Sequence, residues 1–278
     1  MKKDIITVND LSPAEIDQIF DLADRSESLT FPRQTGLTAC VSFEGNSIRT
    51  RATFTKALVD LGITPVEVPN LLKTGEAVRH LAGYMDNWMD LYILRDRDHE
   101  RMAAFAASSA KPVINAMTGL AHPCEVLADL YSIKKEKGDP HSLRYCILGP
   151  PTNVLTSWQR LGQVMGLDMV HVLPPGPTPD MPPGIEISHI KQDGLTGADV
   201  ILTDAWPQGF TDPSLQLTLT DLAVAKPDAW VIPCPPFNVA QEIHAEVIDS
   251  HYFAGYAQKR YLYQVQKALI AFVLHKNA

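Results

Sequence analysis

Apolar and polar positions fall into short blocks whose period switches back and forth. Ser12-Pro13-Ala14-Glu15 precedes Ile16, Ile19, Phe20 and Leu22, which share one face at helical spacing. Ser12 suits the cap, Pro13 the first helical position, and Glu15 can reach back in a capping box. Positions 37–43, LTACVSF, are nearly continuous and read as a buried strand. They run into EGNSIRTR, and RATFTKALVDLG behind it returns to helical periodicity. Strand, short polar loop and helix open a βαβ unit. The pattern then repeats. Strands are expected at 90–94 and 112–116, and helices at 102–108 and 123–137. In the last of these Val126, Leu127, Leu130 and Ile133 line one face. A second series begins at 143–148, with a helix at 157–165 and strands at 169–173, 200–203 and 230–232. An amphipathic helix at 256–274 closes the chain.

Strands alternating with helices imply parallel sheets covered on both faces. The fold class is therefore α/β, as two doubly wound parallel-sheet domains joined by helices. Gly138-Asp139-Pro140, after the charged end KKEK, is the strongest break. It separates domain 1–137 from domain 138–255. The proline-rich run at 174–184, PPGPTPDMPPG, is expected to be a surface loop.

Composition narrows the function classes. A chain of 278 residues can bury one large or two modest cores. With 45% hydrophobic and 20% charged residues it reads as a globular enzyme, not a disordered chain. A net charge of -8 makes nucleic acid and anionic membranes poor partners. If the substrate is an anion, positive charge must be gathered in one pocket. Cys40, Cys124, Cys146 and Cys234 are dispersed with no C-x-x-C pair, which suits a reducing compartment better than disulfides or a zinc site. MKKDIITVNDL has no apolar run behind its lysines, so no signal peptide is expected. No segment approaches the roughly 18 apolar residues of a membrane span. The expectation is a soluble cytoplasmic protein with no metal and no cofactor.

The sharpest local feature is Ser47-Ile48-Arg49-Thr50-Arg51, between a strand and a helix. A helix N-terminus offers free N–H groups and the positive end of the dipole, so it suits phosphate. Ser47 and Thr50 add hydroxyls, and Arg49 and Arg51 add charge-assisted contacts. An ordinary helix start with exposed arginines has the same local pattern. No G-x-G-x-x-G follows any strand, which argues against a nucleotide-binding oxidoreductase.

Other segments point further. Phe43-Glu44-Gly45-Asn46-Ser47-Ile48-Arg49-Thr50-Arg51 resembles the S-T-R-T-R loop of aspartate and ornithine carbamoyltransferases. Leu72-Lys73-Thr74-Gly75-Glu76 is similar to their K-G-E loop, and Ile93-Leu94-Arg95 to a strand end that presents an arginine. Pro112-Val113-Ile114-Asn115-Ala116, then His122-Pro123-Cys124-Glu125-Val126-Leu127, resembles P-V-I-N…H-P-C-Q-x-L. These matches keep family order and spacing over most of 40–137. The resemblance implies that Ser47, Ile48, Arg49, Thr50, Lys73 and Glu125 bind carbamoyl phosphate. Arg95 and His122 would hold and polarise the carbamoyl oxygen. The second half matches more loosely. Gly149-Pro150-Pro151-Thr152-Asn153-Val154 is similar to G-D-G-N-N-V, and Ala198 to Trp206 resembles A-D-V-x-x-T-D-x-W of the ornithine branch. Pro233-Cys234-Pro235-Pro236 stands where the family has H-C-L-P. The resemblance places Asn153, Asp204, Gln208, Cys234 and Pro235 at the acceptor amine, with Cys234 in a supporting catalytic role. Arg260 could reach the carbamoyl phosphate from the start of the C-terminal helix, which would pack back on the first domain. The implied reaction moves a carbamoyl group from carbamoyl phosphate to an amino-acid amine. The implied assembly is a homotrimer in which the Lys73 loop reaches a neighbour.

Departures concentrate in the second half. Pro150 replaces an aspartate, Pro233 a histidine, and Val239 an arginine, and Pro207-Gln208-Gly209 replaces S-M-G. In the first half Glu125 replaces a glutamine. These changes point to an altered acceptor. Two alternatives use the same donor pocket: phosphorolysis of a ureido compound, and a non-catalytic phosphate-binding homologue.

Overall fold

The computed structural model describes residues 2–26, 36–177 and 183–276. Part of the proline-rich loop expected at 174–184 thus lies outside the described residues. The chain divides into two compact units, Met1–Tyr131 with Tyr261–Ala278, and Ser132–Arg260.

The first unit opens with α1 (Pro13–Ser26). Its capping box forms: the Ser12 amide donates to Glu15 Oε2 at 3.0 Å and the Glu15 amide to Ser12 Oγ at 3.3 Å. Then follow β1 (Thr38–Phe43), α2 (Ile48–Asp60), β2 (Thr64–Glu67), α3 (Val78–Met85), β3 (Leu91–Arg95), α4 (His99–Ser108), β4 (Val113–Met117) and α5 (Pro123–Lys137). The sheet is parallel throughout, in the order β2-β1-β3-β4. β1, β3 and β4 are buried along nearly their whole length, which explains their unbroken apolar sequences. β2 is short, half exposed and carries Pro65, so its sequence hides it; an edge strand tolerates the missing N–H.

The second unit contains β5 (Arg144–Leu148), α6 (Asn153–Met165), β6 (Asp168–Val172), β7 (Glu186–Ser188), α7 (Lys191–Leu195), β8 (Val200–Thr203), β9 (Trp230–Pro233) and α8 (Ala245–Ile248). Its strands are also parallel, in the order β7-β6-β5-β8-β9. Finally α9 (Leu262–Lys276) returns to the first unit. Lys56 sits 4.7 Å over the Tyr263 ring, and Tyr131 meets Tyr261 edge-on at 5.5 Å. The expected C-terminal helix begins six residues late, because the chain first forms a short 3-10 turn at Ala257–Lys259 and becomes α-helical only at Leu262.

Each sheet reverses its winding once, between β1 and β3 in the first and between β5 and β8 in the second. Crossovers leave in opposite directions there, so the loops at the strand C-termini part and leave a crevice. The first crevice is bordered by the segments after Phe43 and Arg95, and the second by those after Leu148 and Thr203.

α7 lies tightly on the second sheet. A Cβ on Gly194 would fall 2.3 Å from Val172 Cγ2 and 3.0 Å from Cys146 Sγ. Val172 is stiff and fully buried, so the clash cannot be relieved by a rotamer change. Gly194→Ala is expected to destabilise the protein by about 1–3 kcal/mol. Urea denaturation of both proteins at pH 7 would check this through the shift in midpoint.

Candidate functional site

At the first crevice the chain leaves β1 through Glu44 and turns back into α2. Gly45 has φ 68° and Ser47 φ 42°, both left-handed. Glycine adopts that region freely, but serine does so at a cost, and such strain collects at functional loops. The turn leaves the first-turn N–H groups of α2 at the crevice. Ser47 Oγ donates to Glu44 O at 3.1 Å. Ile48 is exposed on its side chain, so its contribution is its backbone N–H; Arg49 is exposed, and Thr50 is buried. Arg51 is committed within the fold. It pairs with Glu67, donates to Gly45 O at 3.2 Å and lies 5.5 Å from the Phe43 ring centre. Of the two loop arginines, Arg49 is the exposed one.

Glu44 cross-ties three segments. Its amide donates to Arg95 O at 2.9 Å, its Oε1 accepts from Lys73 Nζ at 2.6 Å, and its Oε2 accepts from the Arg97 amide at 2.9 Å. The Lys73 hydrogen bond, then that from Arg97, holds the Glu44 carboxyl below the usual range. Arg101 fixes the 72–76 segment further. It donates to Leu72 O, to Thr74 O at 2.9 Å and to Glu76 O at 3.0 Å. Ser47, Arg95 and Lys73 are thus all tied to Glu44, the first two through its main chain and Lys73 through its carboxylate, which motif spacing could not reveal.

His122 and Glu125 stand at the start of α5, both buried. The turn before them is tightly held. Thr118 N donates to Ala121 O at 2.8 Å, Asn115 Nδ2 to Ile6 O at 2.7 Å, and His99 Nδ1 lies 2.8 Å from Thr118 Oγ1. A Cβ on Gly119 would meet Arg97 O at 2.9 Å, so glycine is needed for this close approach. Cys124 points away, its Sγ donating to Asn115 O at 3.3 Å, and burial raises its thiol well beyond reach of ionisation.

At the second crevice Gly149 leaves β5 with φ 131°. The Trp206 indole packs on it, 3.7 Å from where a Cβ would be, and joins the loops after β5 and β8. Thr152 caps α6, its Oγ1 accepting from the Leu155 amide at 3.2 Å, and Asn153 begins that helix. Asp204 Oδ1 accepts from the Ala205 amide at 2.9 Å. Gln208 is exposed in the same loop. Cys234 is buried at the end of β9, with Pro235 behind it half-buried. Arg260, placed with the donor set by sequence, belongs by its contacts to this second unit and pairs with Glu136 at 3.2 Å.

Two supporting residues carry no sequence motif. Gln258 is fully buried, and its Nε2 donates to Pro233 O at 2.8 Å and Gly255 O at 3.2 Å. The Cys234 amide donates to Thr203 O at 2.8 Å. The peptide plane between Pro233 and Cys234 is therefore held at both its oxygen and its N–H. His171, on β6, is also fully buried. Its Nε2 donates to Gly149 O at 2.8 Å, so Nδ1 is the acceptor for the Gln159 amide. A buried histidine and glutamine in an apolar strand and helix were the only signals available.

Comparisons with known proteins identify the family and the fold. The model for the aspartate/ornithine carbamoyltransferase carbamoyl-P binding domain matches residues 3–135, and that for the Asp/Orn binding domain matches 141–273. The ornithine carbamoyltransferase of Carboxydothermus hydrogenoformans is 27% identical over 98% of this chain and 97% of its own. That of Acidothermus cellulolyticus is 30% identical over 99% and 97%. The structure of ornithine carbamoyltransferase from Pyrococcus furiosus superimposes with a TM-score of 0.91 at 26% identity, covering 99% of this chain and 97% of that one.

Burial pushes His171 down to about 4 from an ordinary value near 6.5. The unfolded chain therefore takes up a proton below pH 6.5 that the folded chain refuses until about pH 4. The stabilisation is complete above pH 6.5 and is lost as pH falls toward 4, by about 3 kcal/mol at most. His171→Gln should lower stability at pH 7 and flatten this part of the profile. Urea midpoints of both proteins at pH 7 and pH 4.5 decide it; parallel losses would mean His171 is not the titrating group.

Proposed function

The chain belongs to the aspartate/ornithine carbamoyltransferase family, and on that premise we propose how its own residues divide the work. It is a carbamoyltransferase: the carbamoyl group of carbamoyl phosphate passes to an amine and phosphate is released. The attacking nitrogen forms a bond to the carbamoyl carbon. The bond from that carbon to the phosphate oxygen breaks, phosphate departs with the electron pair, and the nitrogen gives up a proton.

Carbamoyl phosphate is held by the first unit. Its phosphate lies against the first-turn N–H groups of α2, with Ser47, Thr50 and the Arg49 guanidinium around it. Lys73 adds a positive charge from the neighbouring loop. Negative charge grows on the carbamoyl oxygen during attack, and Arg95 and His122 supply donors fixed in place before it appears. Donors that need no reorganisation stabilise the transition state more than the ground state. Glu125 accepts from the carbamoyl NH2. The acceptor is an amine of the ornithine kind, held by the second unit through Asp204 and Asn153, with Gln208 at its loop. Gln258 fixes the Pro233–Cys234 peptide that leads into this loop, and the Cys234 and Pro235 carbonyls beyond it receive the amine's hydrogens. The reaction needs no covalent enzyme intermediate, so Cys234 acts by shape and through its backbone. The working protein is a cytoplasmic homotrimer, a state that light scattering on the purified protein tests directly.

One observation carries this reading: Ser47 to Thr50 and Arg95 in the first unit, and Asn153, Asp204 and Gln208 in the second, stand at or just after the ends of the strands that flank the winding reversal, where such folds bind ligands. Arg49→Ala is expected to weaken carbamoyl phosphate binding by at least about 100-fold, the scale of about 3 kcal/mol for a charge-assisted contact. Calorimetric titration with carbamoyl phosphate measures it, with phosphate release on adding ornithine as the companion assay. Unchanged affinity would mean that the loop does not hold the phosphate.

A further inference from the structure

Carbamoyl transfer releases a proton from the attacking nitrogen, and some group has to receive it. Several carboxylates around the first crevice are committed to the fold. Glu44 accepts from Lys73 Nζ and from the Arg97 amide. Glu67 pairs with Arg51. Asp96 is buried just after β3, and its Oδ1 accepts from the Asp98 amide at 2.9 Å. Asp98 caps α4, its Oδ1 accepting from the Arg101 amide at 2.9 Å. Glu125 stands elsewhere, in the first turn of α5, three positions after His122, and each of the two is only 6% exposed. Residues three apart are neighbours on one face of a helix. Cys124, between them, turns instead to Asn115 O at 3.3 Å. The carboxylate is therefore a neighbour of the histidine that the transfer reading places on the carbamoyl oxygen.

The chemistry suits a carboxylate at this position. Once the amine has attacked, the carbamoyl carbon bears two nitrogens, its own NH2 and the incoming one, and presents their N–H groups side by side. A carboxylate accepts such a pair with its two oxygens, as it does from a guanidinium. A glutamine side chain offers one oxygen and an NH2 that only donates. We propose that Glu125 is the general base of the transfer. One carboxylate oxygen holds the carbamoyl NH2, and the other takes the proton of the attacking nitrogen. The lone pair of that nitrogen forms the new bond to carbon, and the bond from carbon to the phosphate oxygen breaks with its electron pair going to phosphate. The departing phosphate then collects the proton from Glu125, which restores the carboxylate. The proposal rests on the carbamoyl-transfer reading and assigns the proton that this reaction releases.

A glutamate at the third helical position can also reach back to the His122 amide as half of a capping box, a purely structural role. Glutamine fills that role equally, so Glu125→Gln separates it from proton transfer. The test measures kcat and KM of wild type and Glu125→Gln with carbamoyl phosphate and ornithine, scored by ureido product, with urea midpoints as the check on folding. We expect kcat to fall by at least about 100-fold, the scale of general-base catalysis. The KM for carbamoyl phosphate should stay level or fall, and the urea midpoint should not move; an interaction made only in the transition state is lost in this way. A smaller loss of kcat overturns the proposal and sends the proton straight to phosphate. In Glu125→Ala, once the urea titration shows that it folds, formate in the assay is expected to raise kcat, because a free carboxylate fits the vacated space. A kcat that ignores formate in the folded variant overturns the proposal. Wild-type protein that forms no ureido product overturns the transfer reading itself, and the proposal with it.

Discussion

A parallel sheet whose winding reverses must open a crevice at the reversal, and that constraint organises both units. Parallel strands cannot be joined by tight turns, so each connection crosses a face through a helix. Where successive crossovers take opposite faces, the loops at the strand ends diverge. In the first unit this happens between β1 and β3, and in the second between β5 and β8. The buried apolar strands fix the sheets, the sheets fix the reversal, and the reversal decides which loops can meet a ligand. Polar residues at other strand ends serve the fold instead. Asp199 enters β8 and accepts from the Arg144 amide at 2.9 Å, a bond that joins the starts of β5 and β8 at the end of the sheet away from the crevice.

The two crevices are held open by different physics. In the first, charge does the positioning: Glu44 gathers Lys73 and the Arg97 amide, and Arg101 grips three carbonyls. In the second, neutral buried groups do it: His171 on Gly149, Gln258 on Pro233, Trp206 against Gly149. Neutral buried bonds of this kind hold shape without adding a net charge.

Much of this was legible in the sequence, and what was hidden has identifiable causes. Long apolar runs such as LYIL and VINA announced their strands, and Ser12 with Glu15 announced its helix. β2 was missed because TPVE is short, half exposed and interrupted by proline; α3 because VRHLAGYM has a glycine inside and no capping side chain. The motif residues of the first crevice read clearly because they are close in sequence. Their organiser did not, because Glu44 reaches Lys73 and Arg97 across 29 and 53 positions. Arg51 read as a phosphate ligand for the opposite reason: spacing makes it equivalent to Arg49, and only the fold shows Glu67 beside it.

Glu125 is where the electrostatics of the first crevice become most demanding. Its carboxylate is buried in the first turn of α5, where the helix dipole favours a negative charge by up to about 2 kcal/mol. A phosphate-bearing substrate opposes it: two unit charges about 4 Å apart repel by about 4 kcal/mol at an effective dielectric of 20. On the proposed reading the dipole alone does not offset the repulsion, and Arg49, Arg95 and Lys73 would supply the difference. Glutamine at this position would accept from an NH2 group without that repulsion. A carboxylate is tolerable only where the cations around it outnumber it, and the crossed ties of Glu44 keep Lys73 in place to tip that balance.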